Sequence, residues 1–184
     1  MSKEFSYPQF ENGVKVISRA GDAVNDMMMN ITAYRMEAGQ SLTFCHAAEE
    51  TAVLLILGEV TFQWNDRRET GQRNSFIEEG PHCLHVCRNV AVTVTAHTGS
   101  EVLVQSTEND REFAPVFYRP EDCRDDIFGL DVFDNKMKRT VRTVFDYRNA
   151  PYSNMVNGEV INHQGGWSSY TPHHHPQPEV YYYR

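Results

Sequence analysis

Three consecutive histidines, His173-His174-His175, precede Glu179 by only a few residues and form the densest set of metal-ligating side chains in the sequence. In an extended segment His173 and His175 point to one face and His174 to the other, because side chains alternate along a strand. Two imidazoles on one face, roughly 6–7 Å apart at the backbone, can converge on one ion. Glu179 is the natural third ligand. On a straight strand it would lie roughly 13 Å beyond His175, too far for bonds of about 2.0–2.2 Å to a shared metal. Pro176-Gln177-Pro178 therefore has to turn the chain back, a task suited to two prolines in three residues. Two histidines and a carboxylate suit Zn, Mn, Fe or Ni alike. The competing reading is a solvated polar loop. The other five histidines (His46, His82, His85, His97 and His163) are scattered. Cys83, His85 and Cys87 share a strand face, yet neighbours at i, i+2 on a straight strand seldom reach one ion, and buried cysteine is an ordinary core residue.

The elements that must position these residues are strands. Ile31 to Met36 alternates in character, and Ala52-Val-Leu-Leu-Ile-Leu57 is a buried-strand run. Gly58-Glu59 predicts a hairpin turn into Val60–Trp64. Further strands are predicted over 75–78, 83–87, 90–96 and 101–106, separated by Gly80-Pro81, Arg88-Asn89 and Thr98-Gly99. Strands at this spacing, without convincing amphipathic helices, predict an all-β sandwich or small barrel. Residues 107–138 are charged and turn-rich and read as a connector with one helical turn around 122–128. Strand signals resume over 140–145 and 158–161. The expected organisation is a barrel over 1–106, the connector, and the incomplete start of a second barrel over 139–184, with the chain stopping in mid-strand.

Composition narrows the function classes. The 184 residues carry 17 Lys and Arg against 25 Asp and Glu, a net charge of −8, which counts against a nucleic-acid partner. The longest apolar run is strand-sized, so no membrane partner is expected, and the first residues lack the apolar stretch of a signal peptide. Four cysteines without zinc-type or dense disulfide spacing fit a reducing cytoplasm.

The His173–Glu179 spacing, with Gly166 ahead of it, resembles the first metal motif of the cupin superfamily. The text Gly165-Gly-Trp-Ser-Ser-Tyr-Thr-Pro-His-His-His, followed by Glu179-Val-Tyr-Tyr-Tyr, is narrower. It resembles the 5-deoxy-glucuronate isomerase family of inositol catabolism, related to the 5-keto-4-deoxyuronate isomerases of pectin breakdown. Arg139-Thr-Val-Arg-Thr-Val-Phe-Asp, running into Gly158-Glu-Val-Ile161, resembles the same family. The resemblance implies a bicupin with cupin-type β-barrels, the metal sitting in the C-terminal one. It implies His173, His175 and Glu179 as ligands of a divalent ion, Zn or Mn, and a fourth histidine on a later strand that this sequence does not contain. The implied reaction converts 5-deoxy-glucuronate to 5-dehydro-2-deoxy-gluconate. Tyr181 and Tyr183, on one face of the following segment, are the candidates for pocket lining, and Arg184 is expected to point the other way. The expected partners are a small sugar acid and a second copy of the chain, paired through open strand edges. The competing classes are a 5-keto-4-deoxyuronate isomerase, a 2-His-1-carboxylate iron dioxygenase and a non-catalytic cupin remnant.

Overall fold

The computed structural model describes residues 8–24, 26–167 and 173–184. Twelve strands dominate them: β1 Val14–Ser18, β2 Asn30–Met36, β3 Ser41–Phe44, β4 Glu49–Trp64, β5 Arg67–Arg73, β6 Cys83–Val86, β7 Val92–Ala96, β8 Ser100–Glu108, β9 Val116–Tyr118, β10 Arg124–Phe128, β11 Arg139–Phe145 and β12 Asn157–Asn162. The one regular helical piece among the described residues is the 3-10 turn Pro120–Asp122. The helical turn expected around 122–128 is thus displaced, because Arg124–Phe128 pairs antiparallel with β11.

The long strand β4 organises the barrel. Its first half pairs with β8 and β6, and its second half with β5 and β7. One face of the barrel therefore runs β1-β2-β8-β4-β6-β9, and the other joins β3, β7, β4 and β5. The hairpin expected at Gly58 is absent. Gly58 instead lets one continuous strand bend from the first face to the second, just past a bulge between Leu55 and Leu57. It has φ of 101°, and a Cβ there would lie 2.7 Å from the Ser100 Cα, so the bend requires glycine. The real hairpin turn is Asn65-Asp66, where Trp64 pairs with Arg67 and Asn65 takes φ of 47°. The strand expected over 75–78 is a turn as well.

The continuous apolar run of β4 reflects burial on both faces. Val53, Leu55, Val60, Phe62 and Trp64 fill the barrel interior together with Leu84, Val92, Val94 and Val102. Ala52, Leu54 and Ile56 face outward, into a second apolar layer. That layer contains Val144, Phe145, Ala150 and Met155 from the later part of the chain, so residues 139–157 cover the outside of the first barrel. Thr93 and Thr95 of β7 take the solvent side, where they hydrogen-bond Thr43 and Ser41 at 2.9 and 2.8 Å.

Strands β10, β11 and β12 form a separate antiparallel sheet locked to the barrel by buried charge. Arg73 of β5 is fully buried and donates to both oxygens of Glu159 on β12, at 2.7 and 2.8 Å. Its remaining donors meet the carbonyls of Leu55, Phe76 and Glu79. Arg142 of β11 reaches Asp125 on β10 and also the carbonyl of Glu79. With every guanidinium direction satisfied, the pair fixes the register between sheet and barrel.

Candidate functional site

The structure brings His175 and Glu179 together. His175 Nε2 lies 3.3 Å from Glu179 Oε2, and the rings of His173 and His175 are 5.9 Å apart between centroids. The opposite ring nitrogen of His175, Nδ1, donates to the Gln177 carbonyl at 2.8 Å. A carbonyl oxygen only accepts, so Nδ1 donates in this bond and Nε2 is the ring nitrogen turned towards the carboxylate. Two lone-pair donors 3.3 Å apart repel unless a proton or a cation lies between them. That separation is also the edge of a tetrahedron with bonds of about 2.1 Å to a central ion. The donor chemistry of His175 and Glu179 therefore fits a divalent metal. Among the described residues, however, no three His, Cys, Asp or Glu side chains are arranged to share one ion, so His173 is near the pair without converging on it. Residues 168–172 of the motif text lie outside the described residues.

Glu179 is steadied from its other side. Tyr181 Oη donates to Glu179 Oε1 at 2.6 Å, and this hydrogen bond, aided by burial, pushes the phenol pKa up to about 12. Tyr181 and Tyr183 are both exposed, with ring centroids 6.2 Å apart. Tyr182 and Arg184 point the other way, onto the barrel. Tyr182 Oη donates to Glu101 Oε1 at 2.8 Å, and Arg184 Nη2 lies 3.2 Å from Glu101 Oε2. Arg35 Nε of β2 meets the same Oε2 at 3.0 Å. Burial, reinforced by the Glu101 hydrogen bond, pushes the Tyr182 phenol up to about 12. Val180 and Tyr182 also pack on the outer apolar layer. A buried carboxylate on β8 thus clasps the segment that carries the histidine motif. Sequence spacing gave no sign of this contact, because Glu101 stands some eighty residues away and reads as an ordinary strand charge.

Among the described residues the first barrel has no comparable site. Its interior is filled with apolar side chains, Cys45 is exposed, and His46 Nδ1 lies 3.6 Å from Glu49 Oε2. Cys83, His85 and Cys87 do not gather around an ion. Burial pushes the Cys83 thiol pKa well above its usual value, which disfavours the thiolate a metal needs. His85 Nε2 pairs instead with Glu50 Oε2 at 2.8 Å, both side chains being fully buried. Glu50 further accepts from Ser153 Oγ at 3.0 Å and from the Asn154 amide at 2.6 Å, while the His85 ring lies parallel to Phe145 at 4.3 Å. This pair pins the 146–157 loop to the barrel. The sequence signal for it is two polar residues in otherwise apolar strand runs, each needing a buried partner.

A two-faced β-barrel threaded by one bent central strand, followed by a His-x-His…Glu segment, defines a cupin fold. The chain belongs to the KduI/IolB family, whose model matches residues 5–184. It is 24% identical over 178 residues to the 5-deoxy-glucuronate isomerase of Bacillus subtilis (strain 168), covering 94% of this chain and 64% of that protein. The Bacillus licheniformis protein of the same name is 23% identical over the same shares. The chain thus spans a little under two thirds of the length of these relatives. Among solved structures, an IolB-like protein from Salmonella typhimurium LT2 superposes with a TM-score of 0.66 at 19% identity, over 75% of this chain and 52% of that one. Escherichia coli YlbA gives 0.52 at 8% identity, over 79% and 57%. No helix among the described residues is long and apolar enough to cross a membrane.

Proposed function

We propose that this chain acts as a metal-dependent sugar-acid isomerase that converts 5-deoxy-glucuronate to 5-dehydro-2-deoxy-gluconate in cytoplasmic myo-inositol catabolism. The observation that carries the reading is the family match over residues 5–184, which spans the His175–Glu179 pair, together with relatives named 5-deoxy-glucuronate isomerase. Aldose–ketose conversion moves a proton between neighbouring carbons, and its barrier is the weak acidity of a C–H beside a carbonyl. A divalent ion, zinc or manganese, when bound supplies Lewis-acid stabilisation of the enediolate oxygens. His175 and Glu179 would hold it, and His173 would have to move in to join them. The Gln177 carbonyl fixes the His175 ring with Nε2 towards Glu179, and Tyr181 orients Glu179. The raised pKa of Tyr181 keeps its phenol protonated, and so a hydrogen-bond donor, across the neutral range. Tyr181 and Tyr183 line the substrate side. The outer strands β10 and β12 offer open edges for pairing with a second copy.

The test is to incubate the chain with 5-deoxy-glucuronate and a divalent metal and follow the sugar by proton NMR, with 5-keto-4-deoxyuronate in parallel. Faster conversion of 5-deoxy-glucuronate is expected. Turnover of the other substrate alone would reassign the substrate, and turnover of neither would overturn the reading.

A further inference from the structure

The docking of the C-terminal segment on the barrel leaves a cleft of about 470 Å³ beside Glu179. One wall consists of residues 16–19 with Asp22 and Met27, from the end of β1 and the loop after it. Residues 179–181 form the other. The volume lies within the roughly 300–1,000 Å³ range of small-molecule sites. Two features of the walls point to a ligand. Arg19 lines the cleft and makes no ion pair or side-chain hydrogen bond among the described residues, so its guanidinium retains its donors. The acids nearby are committed elsewhere: Asp22 accepts from the Val24 amide at 2.8 Å, and the oxygens of Glu179 face Tyr181 and His175.

We infer that this cleft, shared between the first barrel and the histidine segment, is the binding site for a sugar carboxylate, with Arg19 as its cation. The inference rests on the isomerase reading for the orientation of the ligand, its reacting end towards Glu179 and its acid end towards Arg19. A planar guanidinium matches a carboxylate through two parallel N–H donors, which a point charge does not. A chain of net charge −8 repels acids at long range, so a sugar acid needs such a local cation. It also gives the first barrel a direct role: a residue next to β1 selects the substrate for a centre carried more than 150 positions later.

The experiment compares binding of D-glucuronate and D-glucose, by calorimetry, to the wild-type chain, Arg19→Gln and Arg19→Lys. Arg19 is exposed, and thermal unfolding confirms that each variant is folded. Wild type is expected to prefer glucuronate. In Arg19→Gln glucuronate affinity should fall on the order of tenfold or more, with glucose unchanged, as for a lost hydrogen bond to a charged group. Arg19→Lys should recover part of the preference. An undiminished preference in Arg19→Gln, or none in wild type, overturns the assignment. The isomerase reading is judged separately, by whether the wild-type chain turns over 5-deoxy-glucuronate.

Discussion

Replacing Glu101 by glutamine removes the charge from the clasp while keeping its shape. The Glu101 side chain is 4% exposed, whereas those of Arg35 and Arg184 are 52% and 30% exposed. The two guanidiniums can recover hydration, so each ion pair contributes only about 0.5 kcal/mol. The Tyr182 hydroxyl donates to a buried ionised acceptor, worth about 1.5–3 kcal/mol. Glutamine still accepts from the phenol but without the charge, so docking of the segment should weaken by about 1.5 kcal/mol, which raises its undocked population roughly tenfold. Chymotrypsin cutting after Tyr181 to Tyr183 reads that population directly, as long as redocking outpaces cleavage. Glu101→Gln should be cut faster than wild type, and Tyr182→Phe, which loses the hydrogen bond outright, at least as fast. The clasp should also open in alkali. The Tyr182 pKa is raised from about 10 to about 12, so its contribution is full below pH 10 and lost as pH rises through about 12. Cleavage of Glu101→Gln at the wild-type rate would refute the clasp.

Two further perturbations test the frame. Glu159→Ala strands the fully buried Arg73 charge and should cost about 3–5 kcal/mol in denaturant unfolding, whereas loss of an exposed pair such as Arg88–Glu112 should cost under about 1 kcal/mol. Hydrogen bonds from Arg148, supported by Arg124 and opposed by burial, hold the Asp146 carboxyl well below the usual carboxylate range. Its stabilisation is present above the unfolded value near pH 4 and is lost as pH falls towards the folded one. The Tm difference between wild type and Asp146→Asn should accordingly be large at pH 6 and shrink on acidification, and a constant difference would show that the charge is not responsible.

Much of the fold was legible because strand periodicity is local. The runs at 31–36, 92–96 and 140–145 alternate as half-buried strands must, and the unbroken 52–57 run marks a strand buried on both faces. Gly58 misled for a physical reason: a positive-φ glycine serves a turn and a barrel bend equally well, and only the pairing of both halves of β4 distinguishes them. Strand β5, Arg67–Arg73, escaped notice because it is polar and takes its order from the neighbouring β4. The His-x-His…Glu pattern was visible as spacing. The contacts that hold it, Glu101 to Tyr182 and the shared cleft at Arg19, join residues far apart in the chain and leave no trace in local pattern. The Glu50–His85 pair belongs with them, since its meaning depends on the loop that later covers it.

The decisive measurement is the rate of 5-deoxy-glucuronate conversion before and after chelation, in wild type and in His175→Ala. Metal-dependent turnover is expected in wild type, lost on chelation and restored by zinc or manganese. In His175→Ala, shown to be folded by thermal unfolding, the rate should fall by at least about a hundredfold, on the order of what loss of a metal ligand entails. Conversion that persists without metal, or at the wild-type rate in His175→Ala, would contradict the metal-dependent isomerase reading.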